Sequence, residues 1–434
     1  MQAYHFYPSK SLFQSLSRSS RRLIIIFRAV VLLSILKKRF RFPIKLNRNL
    51  LLLIPALGNR RVVMDFMGVS RTIFLAIIGF DPVSIGILTS LATVVGAVRS
   101  GVIGLLADRY GKRIFLILGG LFSAIRMVLY AFSTDFYIIV LAQGLGAFGE
   151  GAGAGQPSVS GLIADNTETN ERTDVFTLFA FTNALTSMIG AFSAAAPDFL
   201  QQYGIDIISG YRIMFVLCAL MSLCSSIIIF FIKEIKNITV RRKSIWPKKS
   251  VPVIKKFSLC RAVGGFGFGI LNPLMPLWFY LRFGVGGEVI GPIYALSRLL
   301  SMFSYLIVPR FTNRVGEIGG LVLSRIITSA TAIMIPLLPS YEYSAICLVL
   351  FRITFLFTMP IRQSFITKIV DPSERSTAVG LSNLSRMSVL STGPTIGGYL
   401  IQSISMIMPF TIGSAVIIIN GLLYFVFFRR LSKN

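Results

Sequence analysis

Twelve times along this chain a run of apolar residues recurs that is about as long as a helix needs to cross a bilayer, roughly 20 residues. The runs fall at 50–78, 84–106, 114–133, 136–158, 175–196, 211–232, 257–281, 287–308, 318–338, 343–365, 377–401 and 404–428. In hydrocarbon no water satisfies the backbone, so only helices and closed barrels can span. Barrel strands alternate polar and apolar side chains. These runs do not alternate, and they predict helices. With 54% hydrophobic residues, 14% charged and a mean hydropathy of +0.74, no stretch is left for a soluble domain of ordinary size. The expected class is an all-α integral membrane protein with twelve transmembrane helices.

The net charge of +27 would fit a nucleic-acid binder if it were clustered on a soluble face. Its placement says otherwise. With the N-terminus inside, 31 of the 44 Lys and Arg residues fall in segments on the inner side. The heaviest are residues 1–48, with eleven basic residues and no acid, and residues 233–256, with nine. The opposite loops hold almost none; Arg282, at a helix end, comes nearest. This asymmetry predicts a multi-pass protein of the cell membrane with both termini cytoplasmic. The basic residues then face anionic lipid headgroups, and no nucleic-acid partner is expected. Residues 1–48 read as a basic arm, disordered or interfacial, because the apolar stretch from Leu23 to Leu36 is short and broken by Arg28. Cys218, Cys224, Cys260 and Cys347 lie in apolar spans without metal-ligand spacing and read as small buried hydrophobes, so no metal or cofactor is expected.

The chain also repeats itself. Gly79, Gly86, Arg109 and Gly111 recur 205 residues later as Gly284, Gly291, Arg314 and Gly316. Pro157, Glu171 and Arg172 recur at an offset of 203 as Pro360, Glu374 and Arg375. The matches predict two pseudo-symmetric six-helix bundles, residues 49–232 and 254–434, joined by a basic linker at 233–253. Internal repeats of this kind are common in secondary transporters, where substrate sits between the halves.

The loop after the second run reads Gly104-Leu-Leu-Ala-Asp108-Arg109-Tyr-Gly111-Lys112-Arg113. It resembles the signature loop of the major facilitator superfamily, G-x-x-x-D-R-x-G-R/K-R/K, at every defined position, and the resemblance covers residues 49–434. Residues 151–157 and the segment Arg352 to Ser364 look like a poorly characterised prokaryotic branch of that superfamily. The resemblance implies a cytoplasmic gate built from Gly104, Asp108, Arg109, Gly111, Lys112 and Arg113. Asp108 would cap the eleventh helix near residues 376–377, where the dipole favours negative charge. The basic residues would pair with acids such as Asp165 or Glu171. The second copy is degenerate, with Asn313 in place of the aspartate. The antiporter motif G-P-x-x-G-G is absent from the fifth run, which has Gly190-Ala191-Phe-Ser-Ala194-Ala195, and stands instead in the eleventh as Gly393-Pro394-Thr-Ile-Gly397-Gly398.

Of the 17 acidic residues only Asp65 and Glu150 fall deep in a run, whereas Arg60, Arg61, Arg99, Arg126, Arg261, Arg298, Arg325, Arg352 and Arg386 all do. A charge at mid-depth costs about 2.5–3.5 kcal/mol on insertion scales, so it faces a cavity or a partner. The resemblance implies that helices 1, 4, 7 and 10 line the cavity. Asp65 and Glu150 become the candidates for proton coupling, and Arg61, Gln143, Arg298, Arg352 and Arg386 for the substrate cavity. Arg61 and Asp65, four apart, share a helix face. Arg99, Arg126 and Arg325, nearer the run ends, read as packing pairs.

Transport of a small solute by alternating access, coupled to protons, is therefore the leading expectation. The excess of Arg over acid favours an anionic solute, and a monomer is expected. The alternatives are a drug/proton efflux antiporter and a non-transporting receptor on the same fold. An enzyme is disfavoured because the only histidine, His5, lies in the basic arm.

Overall fold

The computed structural model describes residues 47–149, 159, 162–163, 166–168, 171–232, 249–371 and 374–429, with the side chains at 99–110, 147–149, 172, 173, 306 and 376 outside that description. Within these residues the chain forms fifteen α-helices. They are α1 (Arg48–Ile77), α2 (Pro82–Tyr110), α3 (Lys112–Phe132), α4 (Phe136–Gly149), α5 (Arg172–Phe192), α6 (Ala196–Gln201), α7 (Ile207–Phe230) and α8 (Val251–Leu271). The remainder are α9 (Met275–Phe283), α10 (Gly287–Val315), α11 (Glu317–Met334), α12 (Tyr341–Ile369), α13 (Arg375–Leu390), α14 (Gly393–Ser403) and α15 (Met408–Phe428).

Seven segments are long and apolar enough to cross a membrane, or eight with the two parts of α10 taken together. They are α3, α5 with α6, α7, α8 with α9, α11, α12 and α15. Of the remaining runs, those at 84–106 and 136–158 extend beyond the described side chains, and two others have local causes. Helix α1 is 30 residues long but carries Arg48, Arg60, Arg61, Asp65 and Arg71. The run at 377–401 is broken at residues 391–392, between α13 and α14. The runs at 175–196 and 257–281 are among the seven, although neither is a single α-helix. They pass through 3-10 turns at Ser193–Ala195 and Asn272–Leu274. In the second, Pro273 has no N–H to continue the α ladder.

Helix α7 turns aliphatic and aromatic side chains outward and small hydroxylated ones inward. On α7 the exposed side chains include Leu217, Leu220, Leu223, Ile227 and Phe230, while Ser222, Ser225 and Ser226 are buried. Ser222 meets the Ser123 hydroxyl at 3.2 Å, Ser225 donates to the Ala56 carbonyl at 2.8 Å, and Ser226 to the Ile117 carbonyl at 3.1 Å. Small hydroxylated residues inside and aliphatic residues outside are what lipid selects, because hydrocarbon supplies no hydrophobic drive between helices. Three of the four cysteines are buried as expected; Cys224, on the outer face of α7, is exposed.

The repeat is visible in backbone conformation. Gly79 and Gly284 both have positive φ, 95° and 66°, and so do Gly111 and Gly316, at 98° and 78°. These torsions strain any residue with a Cβ. Glu171 and Glu374 each precede a helix with nearly the same torsions, φ −96° and −106°. Gly86 and Gly291 both mark close helix crossings. A Cβ on Gly86 would strike the Pro394 carbonyl on α14, and one on Gly291 would lie 2.9 Å from the Ala191 carbonyl on α5.

Candidate functional site

The site grows from Asp65 on α1. It is buried, 4% exposed, in the face of the helix that also holds Val63, Phe66 and Val69. One carboxylate oxygen, Oδ2, pairs with Arg61 Nε one turn earlier at 2.6 Å and accepts from the Ser187 hydroxyl of α5 at 2.7 Å. The other, Oδ1, accepts from Arg298 of α10 at 2.7 Å. A carboxylate paired with two guanidiniums and accepting from one of them and a hydroxyl is well compensated, which is what burial of the charge requires. The neighbouring Arg60 turns the other way, donating to Ser225 at 3.0 Å and to the Leu116 carbonyl, and so holds α1 against α3 and α7.

Arg298 stands beside a second guanidinium. Arg352 on α12 donates from Nε to Ser297 at 2.9 Å and to Asn272 at 3.2 Å, and lies 4.1 Å from the centre of the Tyr294 ring. Asn272 reaches Arg352 from the 3-10 turn that interrupts α8 and α9. The break in the helix thus frees an amide side chain for the site. Three guanidiniums and one carboxylate leave this centre with an excess of positive charge, and an aromatic face covers one of the cations.

The seam around this centre closes at one end. Connections 78–81, 202–206, 284–286 and 404–407 lie on that end, because successive long helices reverse direction. Here α2 packs on α14, and α10 on α5 and α6. Gln402 accepts from the Val83 N–H at 3.0 Å, and Ser90 accepts from the Thr395 N–H at 3.0 Å and meets its hydroxyl at 2.7 Å. A Cβ on Gly398 would collide with the Pro82 carbonyl, and one on Gly287 with the Ala194 carbonyl. The described hydrogen bonds and ion pair Val83–Gln402, Ser90–Thr395 and Asp65–Arg298, which join residues 47–232 to 249–429, lie between Asp65 and this end.

The expected site residues are distributed unevenly around this frame. Arg61, Asp65, Arg298 and Arg352 come together. Gln143 on α4 is fully buried, with neither amide atom hydrogen-bonded among the described residues, and no described contact brings it to Asp65. Arg386 lies instead with a group of arginines on α8, α11 and α12. Glu150 lies outside the described residues, as do the side chains of Gly104, Asp108 and Arg109. Gly111 forms the turn into α3. Lys112 opens that helix, and Arg113 donates to the Phe230 carbonyl with its guanidinium 5.0 Å from the Phe230 ring. Among the described residues Arg113 thus reaches the end of α7; Asp165, one of the acids expected near it, lies outside them.

One expectation needs correction. Arg325 is not near a helix end with an acid beside it. It sits mid-way along α11, 1% exposed, and its three guanidinium nitrogens have no hydrogen-bond partner among the described residues. Sequence reasoning also missed Ser187, which carries no distinguishing pattern, and Arg362, which lies near the end of its run.

The chain matches the model of the Major Facilitator Superfamily over residues 61–394 and 257–434. An uncharacterised membrane protein of Saccharomyces cerevisiae is 20% identical over 392 residues, covering 81% of this chain and 88% of that protein. Among solved structures, the nucleoside transporter NupG superposes with a TM-score of 0.72 at 13% identity, covering 88% of this chain and all of NupG (100%). An inward-facing bacterial homologue of the human lysosomal transporter Spinster gives 0.68 at 18% identity, over 87% and 95% of the two chains. The human organic anion transporter TETRAN gives 0.58 at 13% identity, over 87% and 99%. The family match spans most of the chain and the superpositions run nearly end to end, and the chain belongs to the Major Facilitator Superfamily.

Proposed function

We propose that this protein is a secondary transporter that moves a small anionic solute by alternating access, with a proton carried at Asp65. The observation that carries the reading is the bridge Arg61–Asp65–Arg298, which ties α1 to α10 at the inner limit of the closed seam. When the seam opens, Arg298 leaves Asp65. The carboxylate then keeps one guanidinium instead of two. A buried carboxylate whose charge partners change with conformation is what coupling requires.

Twelve spans in two bundles, residues 49–232 and 254–434, complete the reading. The paired glycine torsions and the paired crossings at Gly86 and Gly291 support it. With both termini cytoplasmic, the closed end faces outward, away from the cytoplasmic side. The loop Gly104–Arg113 would close that side in the opposite state, and Asp108→Asn is expected to lower flux sharply while insertion is retained. The prokaryotic branch indicated by residues 151–157 and 352–364 belongs to the same proposal. An anionic solute is supported by the excess of guanidiniums around Asp65, and TETRAN, of similar fold, is an organic anion transporter.

The test is solute-driven proton movement in proteoliposomes holding a pH-sensitive dye, for the parent, Asp65→Asn and Glu150→Gln. Loss of coupled proton movement in Asp65→Asn, with solute binding retained, is the expected result. If both variants still move protons with solute, Asp65 and Glu150 are not the carriers.

A further inference from the structure

The second half of the chain buries a cluster of arginines without counter-charge. Arg261 on α8, Arg325 on α11, Arg362 on α12 and Arg386 on α13 lie within Coulombic reach of one another and of the Tyr424 hydroxyl on α15. None of the four makes an ion pair among the described residues. Arg325 and Arg362 are 1% and 6% exposed, and flank the Phe355 ring at 5.1 and 5.5 Å. Phe355 is itself stacked on Phe268 at 3.7 Å. Arg362 donates from Nε to the Thr358 carbonyl at 3.2 Å, and Arg261 to Asn383 at 2.5 Å. Among the described residues Arg386 makes no hydrogen bond, and the three buried guanidinium nitrogens of Arg325 have no acceptor. Arg261 and Arg386 are partly open, so the cluster is reached from their side.

Like charges gathered in a low-dielectric interior repel, and no rotamer entropy or packing gain explains four of them meeting. Guanidinium N–H groups without acceptors cost their full desolvation. Both deficits vanish if an anion with several oxygen atoms sits among them, because the guanidinium fork matches carboxylate and phosphate oxygens in pairs. We propose that Arg261, Arg325, Arg362 and Arg386 form a binding site for a multiply charged oxyanion, a phosphate ester or polycarboxylate. The assignment rests on the transport reading only in making that anion the solute. Tyr305 on α10 lies within Coulombic reach of Arg362 and also of Arg61 and Arg298.

The test is thermal unfolding of the purified full chain in phosphatidylcholine nanodiscs, titrated with inorganic phosphate, glycerol 3-phosphate or citrate at constant ionic strength, against chloride. The parent should be stabilised saturably by at least one of the three and not by chloride, since a ligand that binds only the folded state raises Tm. Arg325→Gln and Arg386→Gln should each weaken the apparent affinity about tenfold or more, the equivalent of one lost charge-assisted contact. Both should also leave the ligand-free Tm unchanged or raised, because each removes a repelling charge. A packing role predicts the opposite, a lower Tm with binding intact, and that result overturns the proposal. So does the absence of saturable stabilisation by all three anions. If phosphatidylglycerol in the nanodisc alone produces the Arg325-dependent stabilisation and abolishes that of the solutes, the oxyanion is a lipid headgroup and the solute assignment is overturned. Anion binding without flux would leave the site standing and refute transport; flux without Arg-dependent binding would do the reverse.

Discussion

Asp65 is the residue on which the central geometry turns, and its energetics can be divided. Removing one partner of a buried ion pair costs about 3–5 kcal/mol, chiefly because the remaining charge is left uncompensated. Asp65→Asn leaves Arg61 and Arg298 facing each other and should lose stability in that range. Arg298→Gln should lose less, because Arg61 and Ser187 still hold the carboxylate. The double variant should recover part of the sum, with a coupling of about 1–3 kcal/mol by denaturant unfolding in detergent. Strict additivity would mean the two side chains do not interact. The Arg61–Asp65 pair was legible in the sequence, since a spacing of four puts both on one helix face. Arg298 was legible only as a charge that had to face something, because its partner lies 233 residues away. Arg325 was misread. Sequence depth alone does not tell a paired arginine from one without an acid, and the difference lies in what other helices present to it.

At the scale of helices, the strongest prediction concerns the seam. Ser90 on α2 and Thr395 on α14 meet at 2.7 Å, so Ser90→Cys with Thr395→Cys should cross-link under mild oxidation. The seam also brings two carboxylates together. Asp198 on α6 and Glu288 on α10 converge beside Gly286, and each has a buried oxygen, Oδ2 and Oε2, without a hydrogen-bond partner among the described residues. Like charges placed this close oppose closure. Asp198→Asn should therefore stabilise the closed seam and speed the cross-link, and a slower cross-link would contradict this. At the turns, Gly111→Ala and Gly316→Ala should each cost about 1–2 kcal/mol in thermal unfolding, because both glycines hold left-handed φ. The helices themselves were legible from their apolar runs, and the glycine repeat anticipated the matching turns. The interruptions were not. Asn272–Leu274 lies inside an apolar run, and only packing shows that its break turns Asn272 toward Arg352. The pair Asp198–Glu288 was equally hidden, since neither acid lies deep in a run.

Under the proposed alternating access the whole molecule has two states, with the seam between α2 and α14 closed in one and open in the other. A solute shifts such an equilibrium only by binding the two states unequally, and the cross-half bridge Asp65–Arg298 is a term that exists in the closed seam alone. The most direct measurement is a double electron–electron resonance distance between spin labels at Val83→Cys and Gln402→Cys, whose parent residues are bonded across the seam at 3.0 Å. Cys224, the exposed native thiol, is replaced by Ser. In nanodiscs a short distance matching the closed seam and a second, longer one are expected, with Asp65→Asn moving population to the longer. A single short distance that Asp65→Asn leaves unchanged would contradict this.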